Sequence, residues 1–121
     1  RTAFVLVASP RADTIDEARY FLRRLHCADL NASAVVVNRM LPQLSTTPKR
    51  ATELAVSLAG SAAGGAAQAL ADLTATSAGD DLRIAELQNA APDALTARVP
   101  MLHDDVHDID SLAKIARLLT D

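Results

Sequence analysis

Cysteine is almost missing: Cys27 stands alone among 121 residues, so no intramolecular disulfide framework exists. Tryptophan is absent and only Phe4, Tyr20 and Phe21 are aromatic, which leaves no stacking platform for single-stranded nucleic acid. Neither charge sign dominates. Twelve Lys and Arg face fifteen Asp and Glu for a net charge of −3, without a basic block. Nucleic acid is therefore not an expected partner. The longest apolar run, 3–8, falls far below the ~18–20 residues of a membrane span. No secretory signal is visible and position 1 is Arg rather than Met. The chain reads as an excised or processed piece of something longer, with the cytoplasm as its compartment.

What is present is aliphatic and small. Twenty-five residues are Ala, and 34 are Val, Ile, Leu, Met, Phe or Tyr. Those 34 suffice for a thin core in a domain that buries ~60–70% of its unfolded surface. Arg outnumbers Lys ten to two, which with the abundant Ala fits a GC-rich coding genome.

The run Ala3 to Ala8 has the continuous apolar character of a strand buried on both faces. Ser9 to Asp13 break it. Thr14 and Glu17 match a capping box, so a helix is expected to start there, with Ile15, Ala18, Leu22 and Leu25 on its inner face. A turn at 29–31 leads to a second buried strand over Ala34 to Asn38. Thr47-Pro48 has the hydroxyl N-cap and N1 proline of a helix start. The helical segment that follows, roughly 49–73, contains Gly60, Gly64 and Gly65, and a break is expected near 60–65. The polar run 74–79 reads as a loop, with Asp80 or Asp81 capping a further helix over about 82–90. Arg98-Val99 reads as a short third strand ended by Pro100. A last helix over about 111–119 places Leu112, Ile115, Ala116 and Leu119 on one face.

Alternating strands and helices predict an α/β domain: three layers, a parallel sheet and crossover helices. Ligands of open α/β sheets bind beyond the strand C-termini. Three segments lie there: 9–13, 38–42 and 100–108.

Several motifs weaken on inspection. Gly60 to Gly65 has Ala66-Ala67 where a phosphate loop needs Lys-Ser/Thr, and it sits in a helical pattern. His26 and Cys27 point about 100° apart on a helix, poorly placed for proton transfer. The run 103–110 holds two His and four Asp without metal-ligand spacing, so Asp108 and Asp110 fit helix capping better. Asn38 is the more informative residue. It ends an apolar strand, where its amide either reads the edge of a purine base or forms the turn out of the sheet.

Three stretches carry a family likeness: TAFVLVASPRADTIDEARYFLRRL (2–25), AVVVNRMLP (34–42) and VPMLHDDVHDIDSL (99–112). In order and spacing they resemble the C-terminal half of the ArsA-like ATPases, the P-loop enzymes that drive arsenical pumps or target tail-anchored proteins. Residues 43–95 match only in helical character. The resemblance implies the C-terminal part of a P-loop NTPase fold, whose phosphate loop, switch regions and Mg²⁺ ligands precede Arg1. It further implies that Asn38 hydrogen-bonds the adenine of ATP and that Pro100, Met101 and Leu102 line the base pocket. Glu17 falls near the family's dimer face. The intact chain would be an ATP hydrolase coupled to anion transport or protein targeting. It would act as a homo- or heterodimer, with a membrane protein as one candidate partner, and the 121 residues alone would be inactive. Two departures stand out: no C-x-x-C zinc clamp follows the Asn strand, and Asp108 replaces a frequent Gly. From a different class, a non-catalytic α/β interaction module would use the acidic 103–110 loop and the Ala-rich helix as partner surfaces.

Overall fold

A computed structural model describes residues 2–120. The elements run β1 (Phe4–Ala8), α1 (Ala12–Cys27), β2 (Ala32–Met40), α2 (Pro48–Ser57), α3 (Gly64–Ala90), β3 (Leu95–Pro100) and α4 (Ile109–Thr120). Among the described residues the sheet has three strands in the order β1-β2-β3, and both pairings are parallel. The chain is thus an α/β unit with an open parallel sheet.

The inner face of the sheet holds the core. Val35 and Val37 of β2 pack with Ala8 of β1, with Ile15, Ala18, Leu22 and Leu25 of α1, and with Ile84 and Leu87 of α3. The helical spacing of the α1 set gives one apolar stripe, and this stripe is the surface the sheet covers. Arg98 shares the register position of Val37 and pairs with Asp81 of α3 at 2.7 Å, which fixes α3 on this face. The next residue, Val99, therefore faces the other way. There α4 leans on β3 and begins a second helical layer by itself. The expectation that β1 is buried on both faces is corrected: Val5 and Val7 are 58% and 62% exposed, because α4 sits at β3 and no described element reaches across to β1. Likewise the apolar residues of α4 share a face as expected, yet none is buried.

A second, separate cluster joins α2 to α3 and consists of Ala51, Ala55, Ala67 and Ala71, flanked by Leu58 and Leu70. Alanines four apart on facing helices let the two backbones approach closely. Thr47 caps α2 as expected, its Oγ1 accepting from Arg50 N–H at 3.3 Å, with Pro48 at N1. The break near 60–65 is real: Gly60 adopts φ +78°, a left-handed turn between the helices.

Strands β2 and β3 and helix α4 extend beyond the sequence expectation, and two helices differ in substance. Helix α1 starts at Ala12 rather than at a Thr14 capping box. The Thr14 hydroxyl instead bonds the Arg11 carbonyl at 3.0 Å and lies 2.7 Å from Ser9 Oγ, tying the turn to the first helical turn. The supposed loop 74–79 lies inside α3, which runs unbroken for 27 residues. Thr74 and Thr76 donate their hydroxyls to the Ala71 and Asp72 carbonyls, both at 2.9 Å, so the polar run is absorbed within the helix. Asp80 is then not a cap but a buried mid-helix carboxylate, 2.9 Å from Arg83.

Burial raises the Asp80 pKa above 3.8 despite the attraction of Arg83. A raised folded-state pKa means the protonated form is favoured by folding, so this contribution is present at low pH and lost as pH rises through the folded value. Asp80→Asn should therefore gain stability relative to wild type at about pH 7 and lose that advantage near about pH 3, read from urea midpoints. Ile84 is fully buried, and Ile84→Ala should cost about 2–5 kcal/mol, whereas the exposed Val5→Ala should stay within about 0.5 kcal/mol.

Candidate functional site

The site is built where β2 ends. Val37 pairs with Arg98 and Met40 pairs with Pro100, so three steps on β2 match two on β3. The extra residue is a bulge at Asn38-Arg39. Arg39 takes up the strain with φ +59°, a conformation non-glycine residues rarely adopt. Its N–H donates to Asn38 Oδ1 at 2.8 Å. Beyond the bulge the ladder closes again, since Met101 N–H donates to the Met40 carbonyl at 2.7 Å. The bulge returns Met40 to the buried inner face while leaving Asn38 exposed on the Val99 side.

On that side lies a groove of about 180 Å³. Asn38, Arg39, Val99, Pro100, Met101 and Leu102 form it from the strand ends, with Asp104, Asp105 and Val106 from the following loop and Ile115 from α4. All four residues expected at a base pocket, Asn38, Pro100, Met101 and Leu102, thus converge on one surface. Arg39, the two Asp residues and Val106, which lie in the segments expected at this edge, join them without having been assigned to a base pocket, as does Ile115 of α4. The segment 9–13 does not line this groove, and Glu17 lies in another hollow with β1 residues and Phe21. Asn38 does not turn the chain out of the sheet, since β2 continues to Met40; its carbonyl oxygen supports the bulge, and its Nδ2 makes no hydrogen bond among the described residues.

The loop between Met101 and α4 is held locally. His107 Nδ1 lies 2.7 Å from the Asp105 carbonyl oxygen, and Asp108 Oδ1 accepts from Ser111 N–H at 2.7 Å. Those Ser111 hydrogen bonds lower the Asp108 pKa. Asp108 is therefore the cap of α4, as its position before the helix predicts. Among the described residues, no three His, Cys, Asp or Glu side chains gather as metal ligands.

Other hollows are larger, about 310, 310 and 330 Å³. One lies at the opposite end of the sheet around His26, Asn31 and Asp93, and another lies on the α3 side around Gln43, Ser77 and the Asp81–Arg98 pair. Size does not decide between them. The Asn38 groove and the α3-side hollow, which Met40, Leu41 and Pro100 also line, both sit at the C-terminal ends of β2 and β3, and only the first gathers Asn38 with Met101 and Leu102.

No known protein-family model matches the chain, and no curated protein matches it significantly. No helix among the described residues is long and apolar enough to cross a membrane.

The bulge yields its own prediction. Asn38→Ala leaves the Arg39 N–H without its acceptor and should cost about 1 kcal/mol, read as a lowered urea midpoint. Arg39→Gly removes left-handed strain of about 1–2 kcal/mol against the greater chain entropy of Gly, so its midpoint should match or exceed wild type.

Proposed function

We propose that the chain is the C-terminal part of an ArsA-like ATPase and that the Asn38 groove holds the adenine of ATP. One observation carries the reading: Asn38 and Pro100 to Leu102, far apart in sequence, share a groove at the ends of parallel strands. Its walls fit a purine. Val99, Pro100, Leu102, Val106 and Ile115 offer apolar contact to the ring faces, and Asn38 Nδ2 offers donors to ring nitrogens. In this reading the P-loop amides, a Lys and the Mg²⁺ ligands belong to sequence before Arg1, and they perform phosphoryl transfer in the intact, dimeric protein. The 121 residues contribute base recognition and, by themselves, no hydrolysis. Anion transport or protein targeting in the cytoplasm is the coupled work the family likeness implies.

A second reading, a non-catalytic interaction module, is favoured by the open apolar surface. Val5, Val7 and Leu95 on the sheet and Ile109, Leu112 and Leu119 on α4 are all exposed. A face of this kind marks a surface that associates with something.

The two separate in binding. The intact protein should bind ATP in preference to GTP, and Asn38→Ala should weaken ATP binding about tenfold in calorimetric titration, the value of one hydrogen bond of about 1.4 kcal/mol. Unchanged selectivity in the variant would remove Asn38 from base recognition. Complete indifference of the intact protein to nucleotide, together with association abolished by Val7→Asp, would favour the interaction module.

A further inference from the structure

We propose that Asp104 and Asp105 read the exocyclic amine of the base in the Asn38 groove and are its specificity-determining residues. The inference rests on the nucleotide reading above and concerns what that reading leaves open, namely which groups complement Asn38.

The argument is a count of hydrogen-bonding groups. Asn38 Oδ1 already accepts from the Arg39 N–H, so the wholly unengaged end of this side chain is its Nδ2 donor. Arg39, the other polar residue on the strand side, only donates. Val99, Met101, Leu102, Val106 and Ile115 carry no strong hydrogen-bonding side chain, Pro100 has no N–H, and the Met101 N–H is committed to the Met40 carbonyl. The wholly unengaged side-chain acceptors that line the groove are therefore the carboxylates of Asp104 and Asp105. Neither makes a hydrogen bond or ion pair among the described residues. Asp108 differs, because its carboxylate is engaged in capping α4.

Among its side chains, the groove thus has donors on β2 and acceptors in the loop. A base edge that places a ring-nitrogen acceptor next to an N–H donor answers both. Adenine does so at N7 and N6, an edge on which hypoxanthine presents two acceptors. A carboxylate accepting from the amine makes a charge-assisted bond, stronger than a neutral one. The same carboxylates repel an edge that carries a carbonyl oxygen in that position, as in hypoxanthine. Selectivity against such a base comes from an unpaired, repelled oxygen as well as from a lost bond.

The test uses the intact protein and three nucleotides: ATP, inosine triphosphate and the triphosphate of purine riboside, which lacks the amine. Wild type should bind ATP at least about tenfold more tightly than the amine-free analogue, as a hydrogen bond to a charged group requires. Inosine triphosphate should bind more weakly still. In the double variant Asp104→Ala/Asp105→Ala, both at exposed positions, ATP should still bind and the preference over the analogue should fall to within about threefold. An unchanged preference in the double variant overturns the proposal, since the amine is then read by the backbone. Equal binding of ATP and the analogue by wild type overturns it as well. Failure of wild type to bind any of the three overturns the nucleotide reading itself, a result distinct from either of those. Equal thermal midpoints for wild type and variant confirm that the comparison is between folded proteins.

Discussion

The packing of one strand between two helices and its neighbours governs this molecule. Val35 and Val37 of β2 are closed off by Ile15 and Leu22 from α1 and by Ile84 and Leu87 from α3. Because β2 is central, its position fixes both parallel neighbours and the level at which all three strands end. A parallel strand needs a crossover, so the same burial obliges α1, and then α2 and α3, to carry the chain back across the sheet. The groove at Asn38 is a consequence. It exists where β2 bulges, one step before its last buried residue, Met40.

The two faces of the sheet are unequal, and the inequality runs through the rest of the structure. The inner face has a jigsaw of Ile, Leu and Val with an ion pair, Arg98 to Asp81, at its rim. The outer face has α4 against β3 and exposed valines on β1. Strands whose residues are apolar on both sides are the mark of sheets covered on both sides. The α2–α3 pairing obeys another rule. Its buried alanines contribute little transfer energy per residue, with Leu58 and Leu70 adding at the margin. Close backbone approach and the continuity of α3 hold it in place.

At the candidate site, strain and chemistry are coupled. A left-handed Arg39 is tolerated because Met40 and Pro100 restore the ladder on its far side. Strand alternation sets Asn38 on the outer face, and the bulge engages its oxygen with the Arg39 N–H, which leaves the Nδ2 end unengaged. Such a local arrangement is what a recognition site on an α/β scaffold requires: a polar group held by rigid elements beside an apolar slot. The proposed base recognition draws on that arrangement, and the loop at 103–108 completes it.

Much of this was legible in the chain itself. The valine run of β2, the stripe of α1, the Thr47-Pro48 start and the glycine break follow from local preferences, each decided within about one turn of helix or one strand. The nearness of 38–42 to 100–108 was legible too, because parallel strands put their C-terminal ends on one edge. Yet 9–13, expected there as well, does not line the groove, and the choice of Pro100 to Leu102 came from the family resemblance. The rest depends on contacts distant in sequence. The run 74–79 has the composition of a loop, yet burial of Ile84 and Leu87 on one side and the alanine contact with α2 on the other keep α3 helical across it. The burial of Asp80 follows from that same continuity. Likewise, a bulge depends on the register between β2 and β3, which no single strand specifies. The sequence alone therefore determined the kinds of element and the edge where they converge, since those rest on periodicity and backbone preference. Only the tertiary structure decided which end of Asn38 is free and which face of the sheet is open, since both depend on what packs against a residue from elsewhere in the chain.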